Sequence, residues 1–216
     1  MIPSRLRLKC GIAAVGAVLI VAGGGCSGDS AAPRQPGVSV NDLLAPVEFV
    51  AQNWPAEGWE LYDTVALRQR FARTDEAMRR TWWVANSGGG LEQVILKFDS
   101  PADAQRNFDR DDPRSYDEDF PLRVDESESY RSMSAEESRL YCLGQEGSSE
   151  ACPVWAYWAR YGQYIMRLDH IAGLQTTDAD IFTLQPGIGL DHFLGYVRAF
   201  DDYVTETLTP TTPTPS

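Results

Sequence analysis

CPVWAYWARYGQYIMRLDHI, residues 152 to 171, is two β-strands and the turn between them. The aromatic and β-branched residues are strand formers, and Tyr161-Gly162 is the kind of pair that closes a hairpin. One step upstream, Ser138 to Leu143 is a third strand, separated from the first two by a stretch holding Gly144 and Gly147. The three make a meander. Cys142 and Cys152 flank the first turn symmetrically, which predicts a disulfide across it. Alternation puts Leu140 with Cys142 on one face of their strand and Cys152, Val154 and Trp158 on one face of theirs, and so supports the prediction that the two cysteines oppose each other.

Further out, Thr81 to Asn86 and Leu91 to Phe98 are strand-like and joined by Ser87-Gly88-Gly89-Gly90, a hairpin signature. Val94, Leu96 and Phe98 share an inward face, with Glu92 at its mouth. Ser100 then caps a helix with Pro101 in its first position, Asp103 in its first turn, and Ala104 and Phe108 on one side. Earlier, Trp59 to Phe71 reads as a strand, and Val40 to Trp54 as a short helix capped by Asn41 and limited by Pro46. After the meander, Gly173 to Gly189 reads as a loop. Phe193, Val197, Phe200, Val204 and Leu208 form the apolar stripe of a final helix, with Asp191 as its cap and Asp201, Asp202 and Glu206 placed away from the stripe. The element order is ββα, β, ββα. It predicts an α+β domain: an antiparallel sheet, hairpin plus meander, with helices packed mainly on one face.

The N terminus has another character. Arg5, Arg7 and Lys9 precede the apolar run GIAAVGAVLIVAGGGC, Gly11 to Cys26, which is shorter than the ~20 residues of a spanning helix. Basic start, apolar run and small residues make the three-part pattern of a secretory signal. Gly24-Gly25-Cys26 followed by Ser27 resembles the lipobox of bacterial lipoproteins, with Gly23 where that family has an aliphatic residue. The resemblance implies that residues 1 to 25 are removed, that Cys26 carries a diacylglycerol, and that the protein sits on the outer face of the cell membrane. Each buried methylene contributes ~0.8 kcal/mol, so two acyl chains hold. An uncleaved anchor and cleavage near Ala32 are the alternative readings, and both also export the folded part.

The chain then divides into a signal peptide (1 to 25), a lipidated cysteine with a flexible tether (26 to 39), one domain (40 to 208), and a Thr/Pro tail (209 to 216) read as disordered. The outline is similar to the small extracytoplasmic domains of high-GC Gram-positive lipoproteins and of some receptor-kinase sensor modules. The 17 arginines against two lysines agree with a high-GC genome.

Net charge is -12, and removing Arg5, Arg7 and Lys9 with the signal takes it to -15. Such a surface repels phosphate backbones, which argues against nucleic acid as a partner. The sequence contains two histidines, His170 and His192, each preceded by an acid, and no GxSxG. His170 shares a strand face with Tyr164, Met166 and Leu168 and reads as a half-buried structural residue; His192 sits in the first turn of the final helix. Asp109, Asp111, Asp117 and Asp119 supply oxygens that suit Ca²⁺, but Pro113 and the lack of a following glycine break the EF-hand pattern, so the run reads as a solvated loop. No cofactor, metal or catalytic residue is expected.

Six tryptophans remain to be placed. Trp82 and Trp83 fall on opposite faces of one strand, as do Trp155 and Trp158, so one of each pair points away from the core if helices cover a single face. Trp83, Trp155 and Tyr157 are the candidate binding face. The function expected is non-catalytic binding of an envelope glycan or protein by a domain tethered through its lipid anchor. The alternatives are a carboxylate-dependent glycan hydrolase and a small-ligand sensor, the latter requiring an enclosed apolar pocket between sheet and helix.

Overall fold

The computed structural model describes residues 37 to 67, 74 to 84, 89 to 110, 123 to 143, 152 to 176, 182 to 184 and 187 to 209. Hairpin and meander are both present, and they meet edge to edge. β1 (Trp59–Ala66), β2 (Thr74–Val84) and β3 (Gly90–Phe98) form one half of the sheet. β4 (Arg123–Asp125), β5 (Glu137–Leu143), β6 (Val154–Tyr161) and β7 (Tyr164–Ile171) form the other. The seven strands run in the order β1-β2-β3-β7-β6-β5-β4, and each neighbouring pair is antiparallel. The fold class is therefore α+β with an antiparallel sheet. β3 lies against β7 with Leu91 opposite His170 and Lys97 opposite Tyr164. These central strands are buried on both faces, which explains their near-continuous apolar character.

Two short helices, α1 (Val40–Leu43) and α2 (Phe49–Asn53), precede the sheet. Pro46 separates them, and the N-cap of α1 is Ser39, whose Oγ accepts from the Asn41 N–H at 3.2 Å, so Asn41 is not the cap. The chain reaches this point from Gly37, which lies close to Gln163 and Tyr164; the Tyr164 hydroxyl donates to the Val38 carbonyl at 2.7 Å. Gln93, fully buried on β3, accepts from Ala45 N–H at 2.8 Å and donates to the Leu43 carbonyl at 3.2 Å, fastening α1 to the sheet.

α3 (Pro101–Arg110) has the expected cap: the Asp103 N–H donates to Ser100 Oγ at 3.1 Å. α4 (Leu190–Leu208) buries Phe193, Val197, Phe200 and Val204. The two ββα units differ in one respect. α4, with α1 and α2, packs on the face carrying Trp82, Ile95, Leu140, Trp155, Tyr157 and Met166, whereas Ala104 and Phe108 of α3 pack on the other face, against Val94, Leu96, Phe98, Trp158 and Ile165. α3 is a single helix of ten residues, so it screens only part of that second face.

Asp191, expected as a cap, lies inside the first turn of α4, whose N-cap is Gly189, and two further expectations give way. Gly173 to Gly189 is not all loop: β8 (Leu174–Thr176) and β9 (Phe182–Leu184) pair as a small antiparallel hairpin. Cys142 and Cys152 do form the predicted disulfide, with Cα atoms 5.7 Å apart, yet they are not opposite each other. Cys142 pairs in register with Trp155. Cys152 lies before the strand and bridges Ile188, its N–H donating to the Ile188 carbonyl at 3.0 Å. Pro153 explains the failed parity: it has no N–H to give to a ladder, so the strand starts after it and the alternation does not extend back to Cys152. Gly187 makes this approach feasible, since a Cβ there would stand 1.6 Å from the Cys152 carbonyl oxygen.

Candidate binding face

The three aromatic residues singled out from the sequence do not share a face. Trp155 and Tyr157 point under α4 and are fully buried; Trp155 stacks on Phe193 with ring centroids 5.6 Å apart and donates its Nε1–H to the Ile188 carbonyl at 2.8 Å. They are core, and their inclusion in the binding face is corrected. The physical reason is that the sheet has helices on both sides, so alternation alone does not identify the wet face. Trp83 is 41% exposed, on the second face, beyond the reach of α3.

Trp83 has company that the sequence did not reveal. The β1–β2 ladder slips between Leu61 and Asp63, so Tyr62 is the extra residue of a bulge. Its ring comes to 6.2 Å from that of Trp83 and is 72% exposed. Trp83 lies over Gly90, where a Cβ would meet the indole at 3.2 Å. Ile171, opposite Gly90 in β7, is exposed at the same end. The result is an open aromatic ledge.

Next to this ledge runs a row of oxygen-bearing side chains at matching register on four strands: Asp63, Thr81, Glu92 and Asp169. Directly paired residues share a face, so all four belong to the second face. One further step along the strands stand Arg79 and Arg167. Arg79 donates to Asp63 Oδ2 at 2.9 Å and lies 3.5 Å from Glu92 Oε2. Arg167 donates to Asp169 Oδ2 at 2.8 Å, with its guanidinium 4.6 Å from the Trp158 ring centroid. Burial raises the Glu92 pKa, and the Asp169 charge raises it further against the opposing pull of Arg79 and Arg167. Asp169 is also raised, again by burial, with Arg167 acting the other way. Both carboxyls therefore hold protons more strongly than in water.

Other candidates fall elsewhere. His170 is 5% exposed and packs edge-on to Trp59 and parallel to Tyr196, so it is more buried than expected; burial, then the nearby His192, lower its pKa to about 4. His192 stands at the helix start with its Nε2 2.9 Å from Glu57 and 3.0 Å from the Tyr196 hydroxyl. Tyr196 donates to Glu57 as well, and the Trp59 Nε1–H donates to it at 2.7 Å. This cluster joins the turn at Pro55–Glu57 to α4. No serine is hydrogen-bonded to either histidine among the described residues. Asp111, Asp117 and Asp119 lie outside those residues, while Asp109 accepts from Gln105 and Arg139. Among the described residues, no group of three His, Cys, Asp or Glu is placed to hold a metal ion.

The layer between sheet and α4 is filled by side chains such as Trp82, Trp155, Phe193 and Phe200. A cleft of about 280 Å³ does exist, between Phe108 of α3 and the segment Ser127 to Arg139, but its walls are polar and charged.

One buried site escaped sequence reading altogether. Asp201, expected on the wet side of α4, is 3% exposed. Its Oδ1 accepts from the hydroxyls of Tyr157 (3.2 Å) and Tyr161, and its Oδ2 from Tyr130 (3.1 Å) and Ser132 (2.6 Å). Burial raises its pKa while those hydroxyls lower it. A signal was available: Asp201 stands four residues after Val197 and three before Val204, on the buried side by helical spacing.

No protein-family model matches this chain, and no curated protein matches it.

Proposed function

We propose that this is an extracytoplasmic lipoprotein, held by a lipid on Cys26, whose domain binds an envelope glycan on the second face of its sheet. The observation that carries the reading is the exposed pair Tyr62 and Trp83 beside a row of carboxylates. Aromatic faces stack on the C–H surface of a sugar ring, and carboxylates accept from its hydroxyls. The lipobox pattern at Gly24-Gly25-Cys26 and the Cys142–Cys152 disulfide support an address outside the cytoplasm. The test is co-sedimentation of the purified domain with isolated cell-wall polysaccharide. The parent should pellet with the polymer and Trp83→Ala should remain in solution; equal sedimentation of the two would overturn the assignment of this face. Intact mass of the membrane-extracted protein, with Cys26→Ala released to the medium, tests the anchor separately.

One observation favours a second reading, glycan hydrolysis. Glu92 and Asp169 are direct cross-strand neighbours, a pairing that brings Cβ atoms to about 4.5–5.5 Å, and both hold protons strongly. Glycoside hydrolysis uses such a pair of carboxyls, one of them kept protonated as the general acid. Release of new reducing ends, abolished by Glu92→Gln, would favour hydrolysis over binding.

A further inference from the structure

Three oxygens of the row beside the ledge have no hydrogen-bond partner among the described residues. Asp63 Oδ1, Thr81 Oγ1 and Asp169 Oδ1 are each buried with no hydrogen-bond partner among the described residues, and they fall on one line across β1, β2 and β7. Asp169 as a whole is 8% exposed. A buried oxygen without a donor costs about 1–3 kcal/mol, and three in one row mark a place where something else is expected to donate.

Among the described residues Asp63, Glu92 and Asp169 face Arg79 and Arg167, three acids to two cations, and Glu60, opposite Trp83 in β1, adds another acid at the ledge. On the β6 side the neighbours are Ala156 and Trp158, which bring no cation. Arg139, farther along on β5, is engaged with Phe108 and Asp109. The chain's charge of -12 deepens the field.

We propose that the glycan taken by this face carries a free, protonated amino group, as in a glucosamine-type unit. The inference rests on the glycan-binding reading given above and names the class of sugar. An ammonium group supplies three donors and one positive charge, which suit two unpaired carboxylate oxygens and a row with more acids than cations among the described residues. The neighbouring Trp83 and Tyr62 rings favour a cation as well as an apolar ring face. A strand advances about 7 Å over two residues, so ledge and row fall within the span of a single sugar unit and its substituent once Glu92 reaches across. A multi-atom cation fits better than a metal ion, since no set of three metal-ligating side chains converges among the described residues.

The experiment is calorimetric titration of the folded protein with three tetrasaccharides of equal length: glucosamine, N-acetylglucosamine and glucose. The glucosamine oligomer should bind at least tenfold more tightly than the other two at pH 6. That advantage should vanish in Glu92→Gln, a half-buried position whose circular dichroism checks folding, and should shrink on raising the salt concentration. Trp83→Ala should weaken all three. Equal or tighter binding of the N-acetylated or neutral oligomer overturns the amino-group inference and leaves the glycan face standing. A tenfold preference that survives Glu92→Gln assigns the amine to other residues and also overturns it. Absence of binding to all three, or binding indifferent to Trp83→Ala, overturns both readings.

Discussion

Asp201 and Asp169 are both nearly buried carboxylates, at 3% and 8% exposure, and they are treated in opposite ways. Asp201 receives four hydroxyls, so each of its oxygens is satisfied twice. Asp169 receives one guanidinium on one oxygen and nothing on the other among the described residues. The first carboxylate ties α4 and the segment around Tyr130 to β6, and is complete as it stands. The second is incomplete within the fold, beside exposed aromatic rings. Two similarly buried acids thus differ in how many donors the fold itself supplies them.

Deleting the saturated acid has the largest expected effect. Asp201→Ala strands the hydroxyls of Tyr157 and Tyr161 in the core and should cost about 4 kcal/mol by urea denaturation. Asp169→Asn, by contrast, should change stability by less than about 1 kcal/mol, because the amide removes an unfavourable buried charge as it weakens the pair with Arg167. A large loss at Asp169 would make it a second structural acid and remove the contrast.

Acid titration sharpens the same point through His170. Its folded pKa of about 4 lies below the usual 6.5, so the folded state favours the neutral ring. That preference leaves stability intact above pH 6.5 and removes it as pH falls toward 4, by up to about 3 kcal/mol. Glu92, Asp169 and Asp201 act with the opposite sign: their folded pKa values are raised, so their cost is present at high pH and is lifted as pH falls through those values. His170→Gln should flatten the decline between pH 6.5 and 4. An unchanged slope would place the titrating group elsewhere.

Reducing the Cys142–Cys152 bond, or replacing both cysteines by serine, should cost about 3 kcal/mol, given a loop of 10 residues. The smallest effect on stability is expected on the ledge. Trp83→Ala should change the unfolding free energy by less than about 0.5 kcal/mol while removing polysaccharide binding, whereas Trp155→Ala should cost about 3–5 kcal/mol.

These contrasts show where sequence reading has purchase. β3, β6, β7, α3 and most of α4 are legible because period, turn residues and caps agree locally at Gly162, Ser100 and Val197. Trp83 is legible as one of a pair on opposite faces. Trp155 is misplaced because the helices of the two ββα units go to opposite sides, a choice made by long-range packing. Asp201 is missed because its partners arrive from β6 and from the segment near Tyr130, some 40 to 71 positions away. The acid row has a similar origin. Glu92 and Asp169 are neighbours only because hairpin and meander join through β3 and β7, and nothing local to either residue announces that seam.

The hydrogen bond from Tyr164 to Val38 pins the first described residues to one end of the central seam. Tyr164 pairs with Lys97 at one end of the β3–β7 seam, while Gly90, beneath Trp83, pairs with Ile171 at the other. Seven residues of strand separate the two ends, about 24 Å. Val38 and the aromatic ledge thus occupy opposite ends of the same two strands, so a ligand held at Tyr62 and Trp83 would leave the Val38 end uncovered.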